Sequence, residues 1–309
     1  MNGDRRLAHR LVAAAVVLLA SCGRPDPTPR AAGTVEVTRV ATTVAAPAPA
    51  VSTAPGETVL SGFVAFGDFG GGPAQLDVAA AMERWVAAGH KVDALVTTGD
   101  NVYDVAEPHL FEAQLDRPYR SLRSGRPMWA TLGNHDVAGG YGDEELAHLG
   151  LPPLPYAKEL PGVQLLFVDA NRPDEAQARW LDEHLAARGP AFRVVVFHQP
   201  AWSCGPHGST EAVGEHWVPV FERHRVALVL NGHDHAYQRL VSRRGVTYVV
   251  TGGGGRDLYP VRRDCMDEPD QKAAAYRHHF VAVEVRPRSL VLRAVGVDGA
   301  VFDQAVLER

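Results

Sequence analysis

The sequence predicts a layered α/β fold with helices on the outside. From residue 60 to residue 225, apolar runs alternate with amphipathic segments, which is the rhythm of strands followed by helices. Several apolar runs stop at polar residues, as in Gly99-Asp100, so that side chains capable of chemistry would lie at strand ends. The tail differs, because short alternating segments follow one another there without helices between them.

Each element is predicted from its own pattern. The predicted strands before the tail cover residues 63–66, 95–98, 128–132, 163–169, 194–197 and 227–230. The predicted helices cover residues 75–88, 107–122, 174–188 and 214–225. The predicted strands of the tail cover residues 248–250, 280–285, 290–295 and 300–302. Asp298-Gly299, between the last two strands, is a strong hairpin turn. Without a repeat or a boundary after residue 60, residues 59–309 are expected to form one domain.

Residues 1–22 have the pattern of a secretory signal peptide. Arginines near the start, including the pair Arg5-Arg6, precede an apolar run at 11–20 that is too short to span a bilayer in the usual way. The run ends in Leu-Ala-Ser-Cys, which resembles a bacterial lipobox whose Cys22 becomes the lipidated first residue. A plain signal cleaved nearby, with Cys22 incidental, is the alternative, and the arginine pair leaves twin-arginine export open.

Residues 23–58 are rich in Pro, Ala, Thr and Val. Such a segment cannot bury enough apolar surface to offset its ordering entropy, so it is predicted to be a disordered linker. Together with the lipobox, it predicts an exported protein that a lipid anchor at Cys22 holds at a membrane.

The net charge argues against a nucleic-acid partner, and the cysteine content suggests a disulfide. The net charge of -5, from 31 Lys and Arg against 36 Asp and Glu, gives no electrostatic footprint for nucleic acid. Beyond Cys22, the two remaining cysteines are Cys204 and Cys265. In an exported protein such a pair is expected to form a disulfide, and two free buried thiols are the alternative.

Five apolar runs end in side chains that can bind metals or act on a substrate. In chain order these are Asp68, Asp100 with Tyr103, Asn134 with His135, His198, and His233 with His235. Each motif alone is weak, because an Asp after Gly is often only a turn residue. Five of them in order, each closing an apolar run, indicate one shared site at the strand ends.

This ordered set resembles the calcineurin-like metallophosphoesterases and, within them, the purple acid phosphatases, including the tartrate-resistant type. The motifs that carry the resemblance are Asp68-Phe69-Gly70, Gly99 to Tyr103, Gly133 to Asp136, His198, and Gly232 to His235. The resemblance implies a layered α/β/β/α sandwich, with two facing mixed sheets and helices outside.

The resemblance also implies two metal ions that share Asp100. One ion would be held by Asp68, Asp100, Tyr103 and His235, and the other by Asp100, Asn134, His198 and His233. A phenolate and hard oxygen donors favour Fe³⁺ at the first position, whereas imidazoles and an amide suit Zn²⁺, Mn²⁺ or Fe²⁺ at the second. Tyr103 could instead pack against the following helix.

Further residues are expected around the substrate. The resemblance implies that His135 acts on the phosphate or the leaving oxygen. It also implies a substrate-loop role for His207, for which a solvated loop histidine is the alternative. Asp136 and Glu211 are expected to support these groups without touching a metal. The glycine run at 252–255 either lets the backbone approach the site or is a flexible turn.

The implied function is hydrolysis of small phosphate esters by water that two metal ions activate for in-line attack on phosphorus. A phosphomonoesterase is the leading hypothesis. A phosphodiesterase or nucleotide pyrophosphatase on the same metals, and a surface lipoprotein without catalysis, are the alternatives. Turnover of a phosphate monoester against a diester would separate the first two.

Overall fold

A computed structural model of the protein describes residues 57–263 and 265–309. Its strands are β1 Ser61–Phe66, β2 Ala94–Thr97, β3 Met128–Ala130, β4 Tyr156–Leu160, β5 Val163–Phe167, β6 Phe192–Val196, β7 Leu228–Asn231, β8 Tyr237–Val241, β9 Thr247–Thr251, β10 Asp270–Ala275, β11 His279–Val285, β12 Ser289–Gly296 and β13 Val301–Glu308. Its α-helices are α1 Gln75–Ala87, α2 Arg120–Arg123, α3 Asn134–Ala138, α4 Gly142–His148, α5 Glu175–Ala186, α6 Glu211–His216 and α7 Val218–Arg223. The predicted signal peptide and nearly all of the predicted linker lie outside the described residues.

The strands form two mixed sheets. The first has the order β13-β12-β11-β1-β2-β3, and the second has the order β10-β8-β9-β7-β6-β5-β4. The strands β1, β2 and β3 are parallel, as are β5, β6, β7 and β9 in the second sheet. The remaining pairs are antiparallel, which fits the hairpins of the tail.

Three apolar clusters define the layers. The central cluster joins the inner faces of the two sheets, with Phe63 and Val96 from the first sheet packed against Val194 and Leu228 from the second. A second cluster packs α1 against the outer face of the first sheet, and a third packs α5, α6 and α7 against the second sheet. The predicted α/β/β/α arrangement is therefore confirmed. In the part of the chain that is described, no helix has the length and apolarity needed to cross a membrane.

A buried polar contact also joins the two sheets. Asp303 of β13 accepts hydrogen bonds from the Tyr237 hydroxyl at 2.6 Å and from Arg239 Nε and Nη2 at 2.7 and 2.9 Å, both on β8. Burial alone would raise the pKa of Asp303, but these hydrogen bonds and the charge of Arg239 lower it. The carboxylate therefore stays ionised and ties β13 of the first sheet to β8 of the second.

The predicted helix at 107–122 is wrong as one continuous helix. The segment is a 3₁₀ turn at Pro108–Leu110, a π-helical stretch at Glu112–Asp116 and the short helix α2. Pro118 explains the break between the π-helical stretch and α2, because it lacks the N–H that would continue the helical hydrogen bonds.

The predicted helix at 214–225 is split in a similar way. It begins earlier than expected and consists of α6 and α7, which meet at Trp217. Pro219 lies in the first turn of α7, where a missing N–H is tolerated, so a new helix can start there but the old one cannot continue.

The other helix and strand predictions agree within a few residues, except that the predicted strand at 300–302 is longer, as β13 ends at Glu308. The hairpin at Asp298-Gly299 is present, with Gly299 at a φ of 80° and the Gly296 amide bonded to the Ala300 carbonyl at 3.0 Å. The elements α3, α4, β4, β8 and β10 had no predicted counterpart. Four of these are short or partly exposed, so their sequences carry little periodic signal.

Candidate metal centre

The candidate site lies where the carboxyl ends of parallel strands from both sheets meet. In the first sheet, Asp68 follows β1, Asp100 follows β2 and Asn134 follows β3. In the second sheet, His198 follows β6 and residues 233–235 follow β7. The fold thus brings the predicted metal-binding residues to one crevice.

Three of these residues have a left-handed backbone. The φ angles are 58° for Asp68, 51° for Asp100 and 73° for His233. Among the non-glycine residues that the structure describes, only Arg225 shares this conformation. Such a backbone is unfavourable for L-residues and tends to collect at functional sites, where the surrounding structure holds it in place.

Asp100 is the hub of the crevice. Its Oδ2 accepts a hydrogen bond from the Tyr103 hydroxyl at 2.7 Å, and its Oδ1 accepts one from the His135 amide at 2.9 Å. His198 Nε2 lies 3.3 Å from Oδ2. A Cβ at Gly133 would lie 2.1 Å from Oδ1. Only glycine therefore fits at this position after β3, where the backbone passes close to the Asp100 carboxylate.

Asp68 faces Asp100 across the same space. Its Oδ1 lies 3.5 Å from His235 Nε2 and 3.9 Å from His198 Nε2. The His233 amide donates to both of its carboxylate oxygens at 3.0 Å. Ligand atoms of Asp68, Asp100 and His198 all lie within 4.8 Å of one another, and all three residues are buried. One cation could therefore contact all three.

Two histidines are held in the tautomer that metal binding requires. His198 Nδ1 lies 2.8 Å from the Thr98 carbonyl, and His235 Nδ1 lies 2.7 Å from the Asp257 carbonyl. A carbonyl can only accept, so Nδ1 carries the hydrogen in both rings. The lone pair is then on Nε2, which faces the carboxylates. Histidines that bind metals are usually oriented in this way.

Tyr103 belongs to the cluster rather than to a helix surface. Its hydroxyl lies 3.3 Å from His235 Nε2, in addition to its bond to Asp100, and the residue is 5% exposed. Its backbone is fixed by Gln114, whose side chain bonds both the amide and the carbonyl of Tyr103 at 2.9 and 2.8 Å. The phenol is therefore positioned where the predicted ligand role needs it.

Asp136 supports the strand ends from below. Its buried carboxylate accepts hydrogen bonds from the amides of Gly133 at 2.7 Å, Asn101 at 2.8 Å and Val102 at 3.0 Å. These amides flank Asn134 and Asp100 in the chain. Asp136 therefore orients the backbone that carries two predicted ligands.

His135 lies at the mouth of the crevice beside Tyr103. Their ring centroids are 4.2 Å apart, and His135 Nδ1 lies 2.7 Å from the Asp104 carbonyl. Because that carbonyl accepts the Nδ1 hydrogen, Nε2 of the neutral ring is free to act on a ligand.

His207 packs against His233, one of the predicted ligands. Their ring centroids are 4.3 Å apart, and the Tyr259 ring lies 5.4 Å from His207. Asp234 accepts hydrogen bonds from the His207 amide at 3.1 Å and from the Ser203 hydroxyl. Sequence reasoning missed Asp234 and Tyr259. The position of Asp234 between two predicted ligands was a signal for the former, whereas nothing in the sequence marked Tyr259.

The expected partnership of Glu211 with His207 is not seen in the described part of the chain. Glu211 is exposed and starts α6, while Asp234 is the carboxylate that contacts the His207 segment.

The expected disulfide between Cys204 and Cys265 is present, with a Cα–Cα distance of 5.6 Å. It links the loop that carries His207 to the segment before β10.

The electrostatics of the crevice call for positive charge. Burial raises the pKa of Asp68 in spite of the nearby His198 and His235. Burial alone would lower the pKa of His198, but Asp100 and Asp68 raise it to about 9. Burial, followed by the charges of Asp68 and Asp100, raises the pKa of Tyr103 far above its usual value. The buried carboxylates therefore favour positive charge in the crevice.

The predicted donors include a group that can hold a metal ion, formed by Asp68, Asp100 and His198. Asn134 Oδ1 and His198 Nε2 are buried and have no hydrogen-bond partner among the described residues, which is expected of atoms that await a ligand. The donors are carboxylates, imidazoles, an amide and a phenol, a set suited to first-row transition metals.

A layered α/β/β/α fold with carboxylate and imidazole donors at its strand ends defines a metal-dependent phosphoesterase. The family model for calcineurin-like phosphoesterases matches residues 62–237. The chain belongs to the calcineurin-like phosphoesterase family, and the predictions of family, fold class and enzyme type are confirmed.

Curated relatives place the chain near the acid phosphatases of this family. It is 27% identical to tartrate-resistant acid phosphatase type 5 of Homo sapiens over 246 residues, which are 66% of this chain and 75% of the relative. Identity to the Sus scrofa enzyme of the same name is 26%, with 80% and 86% covered. Identity to purple acid phosphatase 4 of Arabidopsis thaliana is 24%, with 77% and 80% covered.

Solved structures share the fold. GAP50, described as the anchor in the inner membrane complex of Plasmodium, matches with a TM-score of 0.70 and 18% identity, and 81% of this chain and 89% of that chain are covered. Purple acid phosphatase PPD1 from yellow lupin (Lupinus luteus) seeds matches with a TM-score of 0.70 and 17% identity, covering 82% of this chain and 54% of that chain.

We expect Asp100→Ala to lose both metal ions. In the predicted arrangement both donor sets share this carboxylate, so its removal would leave each set incomplete and would cost the crevice one of its two central charges. Metal analysis of the purified variant, together with its thermal unfolding, checks this. Asp303→Asn is the matched control, because it changes a buried aspartate outside the crevice. Retention of two metals per chain by Asp100→Ala would contradict the assignment.

Proposed function

We propose that this protein is an exported phosphomonoesterase of the purple acid phosphatase type that uses two metal ions. One observation carries the proposal: the side chains of Asp68, Asp100, Tyr103, His198 and His235 converge in one buried crevice, with Asn134 and His233 beside them. The likeness to tartrate-resistant and purple acid phosphatases supports the choice of a monoesterase.

The donor sets suggest different ions at the two positions. Tyr103, with Asp68, Asp100 and His235, offers oxygen-rich, anionic ligation that suits Fe³⁺. Asp100, Asn134, His198 and His233 suit Zn²⁺, Mn²⁺ or Fe²⁺. Two such ions, when bound, would supply an activated water and neutralise the charge of the phosphate.

The protein's own groups would orient the substrate and handle the leaving group. His135 is fixed by its amide bond to Asp100 and by its ring bond to the Asp104 carbonyl, so its Nε2 is held at the mouth. In its protonated form, Nε2 can hydrogen-bond a phosphate oxygen and give a proton to the departing alcohol. His207, which packs against His233, would contact the leaving group or a phosphate oxygen.

A scaffold without catalysis is the second candidate. The likeness in fold to GAP50, described as an anchor, favours it. The donor set of this chain argues against it. Two buried carboxylates oppose folding unless cations are bound, and a scaffold does not need such a pair.

Export and lipid anchoring at Cys22 are part of the proposal. The disulfide between Cys204 and Cys265 supports an oxidising compartment, since such bonds persist mainly outside the cytosol. The sequence pattern of residues 1–22 supports a signal peptide. Residues 23–58 would then act as a tether between the lipid and the enzyme.

His135→Ala should keep both metals and lose mainly kcat on p-nitrophenyl phosphate, by roughly 10²- to 10⁴-fold, which is usual for a positioned acid or base. Its ring would act on the substrate rather than on a metal. Steady-state kinetics with metal analysis checks this. His109→Ala, which removes an exposed histidine elsewhere, should leave kcat unchanged. Wild-type protein that fails to hydrolyse the ester when two metals are bound would refute the proposed function.

Tyr103→Phe tests the ferric position. A phenolate bound to Fe³⁺ gives a charge-transfer band in the visible, so the oxidised wild-type protein should be pink to violet and the variant should be colourless. Phenylalanine preserves the ring and its packing, and the remaining donors Asp68, Asp100 and His235 can still hold an ion. A visible spectrum of each protein, with iron content measured in parallel, checks this. A colourless wild type that holds two divalent ions and is fully active would contradict Fe³⁺ while leaving the hydrolase proposal intact.

A further inference from the structure

Arg256 is built into the edge of the metal centre. It follows the glycine run 252–255, and its amide donates a hydrogen bond to the Asp68 carbonyl at 2.9 Å. The Gly254 amide bonds the Gly67 carbonyl at 2.9 Å. A Cβ at Gly252 would lie 2.7 Å from Asp68 Oδ2, so the run approaches the site too closely for any side chain. The glycines therefore dock Arg256 against a predicted metal ligand.

The guanidinium of Arg256 lies over the face of Tyr103. Its Cζ is 4.2 Å from the ring centroid, within cation–π range. Tyr103 also contacts the His135 ring, at 4.2 Å between centroids. The positive charge therefore lies at the same mouth as His135.

Most of the hydrogen-bonding capacity of this guanidinium is unused. An arginine side chain has five N–H donors. Among the described residues, its polar contacts are Nη1 with the Gly70 carbonyl at 3.5 Å and Nη2 with Asp104 Oδ1 at 3.4 Å. Both distances are long for hydrogen bonds. The Asp104 side chain is 84% exposed, whereas that of Arg256 is 29% exposed. A solvated carboxylate held this loosely is easily replaced by a better anion.

We propose that Arg256 binds the phosphate group of the substrate at the mouth and makes the site select doubly charged phosphate monoesters over singly charged diesters. This inference rests on the proposed phosphoesterase function and names its substrate class. A planar guanidinium can donate two parallel hydrogen bonds to phosphate oxygens. A diester has replaced one anionic oxygen with an ester group, so it offers this cation less charge and fewer acceptors. A monoester carries close to two charges at pH 7.

The test compares Arg256→Gln, Arg256→Lys and a matched control. Arg277→Gln serves as the control, because Arg277 also lies over an aromatic ring, Phe302 at 4.8 Å, and pairs with Asp298, with a side-chain exposure of 33%. Each protein, loaded with metals, is assayed at pH 7 with p-nitrophenyl phosphate and bis(p-nitrophenyl) phosphate. Binding of inorganic phosphate is measured by calorimetry, and metal content is checked in parallel.

Arg256→Gln should lower kcat/KM for the monoester by roughly 10- to 100-fold, the effect of losing hydrogen bonds to a charged group. The diester value should change by less than about threefold on the same reasoning, since fewer of those bonds form with it. Phosphate affinity should fall in parallel with the monoester value, and metal content should not change. Arg256→Lys, which keeps the charge without the planar fork, should lie between the wild type and Arg256→Gln. Arg277→Gln should match the wild type in every measurement.

Three results separate failure of this inference from failure of the proposed function. If the wild type hydrolyses the monoester but Arg256→Gln keeps the same ratio of monoester to diester kcat/KM, Arg256 does not select the substrate. If both values fall together with metal content, Arg256 has a structural role and the inference is equally overturned. A metal-loaded wild type that is inactive on both esters overturns the proposed function itself.

Discussion

The structure depends on the burial of Asp68 and Asp100 in one crevice. Both carboxylates are almost fully shielded from water, and their mutual repulsion and desolvation oppose folding unless positive charge lies between them. Burial alone would lower the pKa of His198, but the two carboxylates raise it to about 9, so the crevice favours positive charge. Metal ions satisfy the same demand more completely and leave the imidazole neutral. Binding of cations therefore relieves the unfavourable free energy of burying the two carboxylates, and this relief contributes to the affinity for cations.

The fold makes this crevice by bringing the ends of parallel strands from two sheets together. At three of those ends the chain turns through a left-handed residue that is itself a predicted ligand, and Gly133 clears the space for the Asp100 carboxylate. Backbone carbonyls of Thr98 and Asp257 fix the imidazole tautomers, and Asp136 gathers the amides around two strand ends. These contacts hold the donors in place, which lowers the entropic cost of binding an ion.

Much of this arrangement could be predicted from the sequence, because strand ends and metal donors both leave local signals. Asp100 and His198 are marked by the apolar runs that precede them, and the order of the motifs identified the family. The supporting contacts could not be predicted in the same way. The contact of Arg256 with Tyr103 and that of Asp234 with the His207 segment join residues far apart in the chain. No local sequence pattern indicates which residues far apart in the chain come into contact. The broken helix at 107–122 is different, because Pro118 lies within that segment and is itself a local signal for a break.

We propose that Asp100 is shared by two different metal ions. Anomalous diffraction from crystals of the protein grown with iron and zinc, measured at both absorption edges, tests it most directly. The account predicts two peaks about 3.5 to 4 Å apart on either side of Asp100, as in other two-metal phosphoesterase sites. The iron peak should lie beside Tyr103 and His235, and the zinc peak beside Asn134, His198 and His233. A single peak, or two peaks that do not share Asp100, would contradict the account.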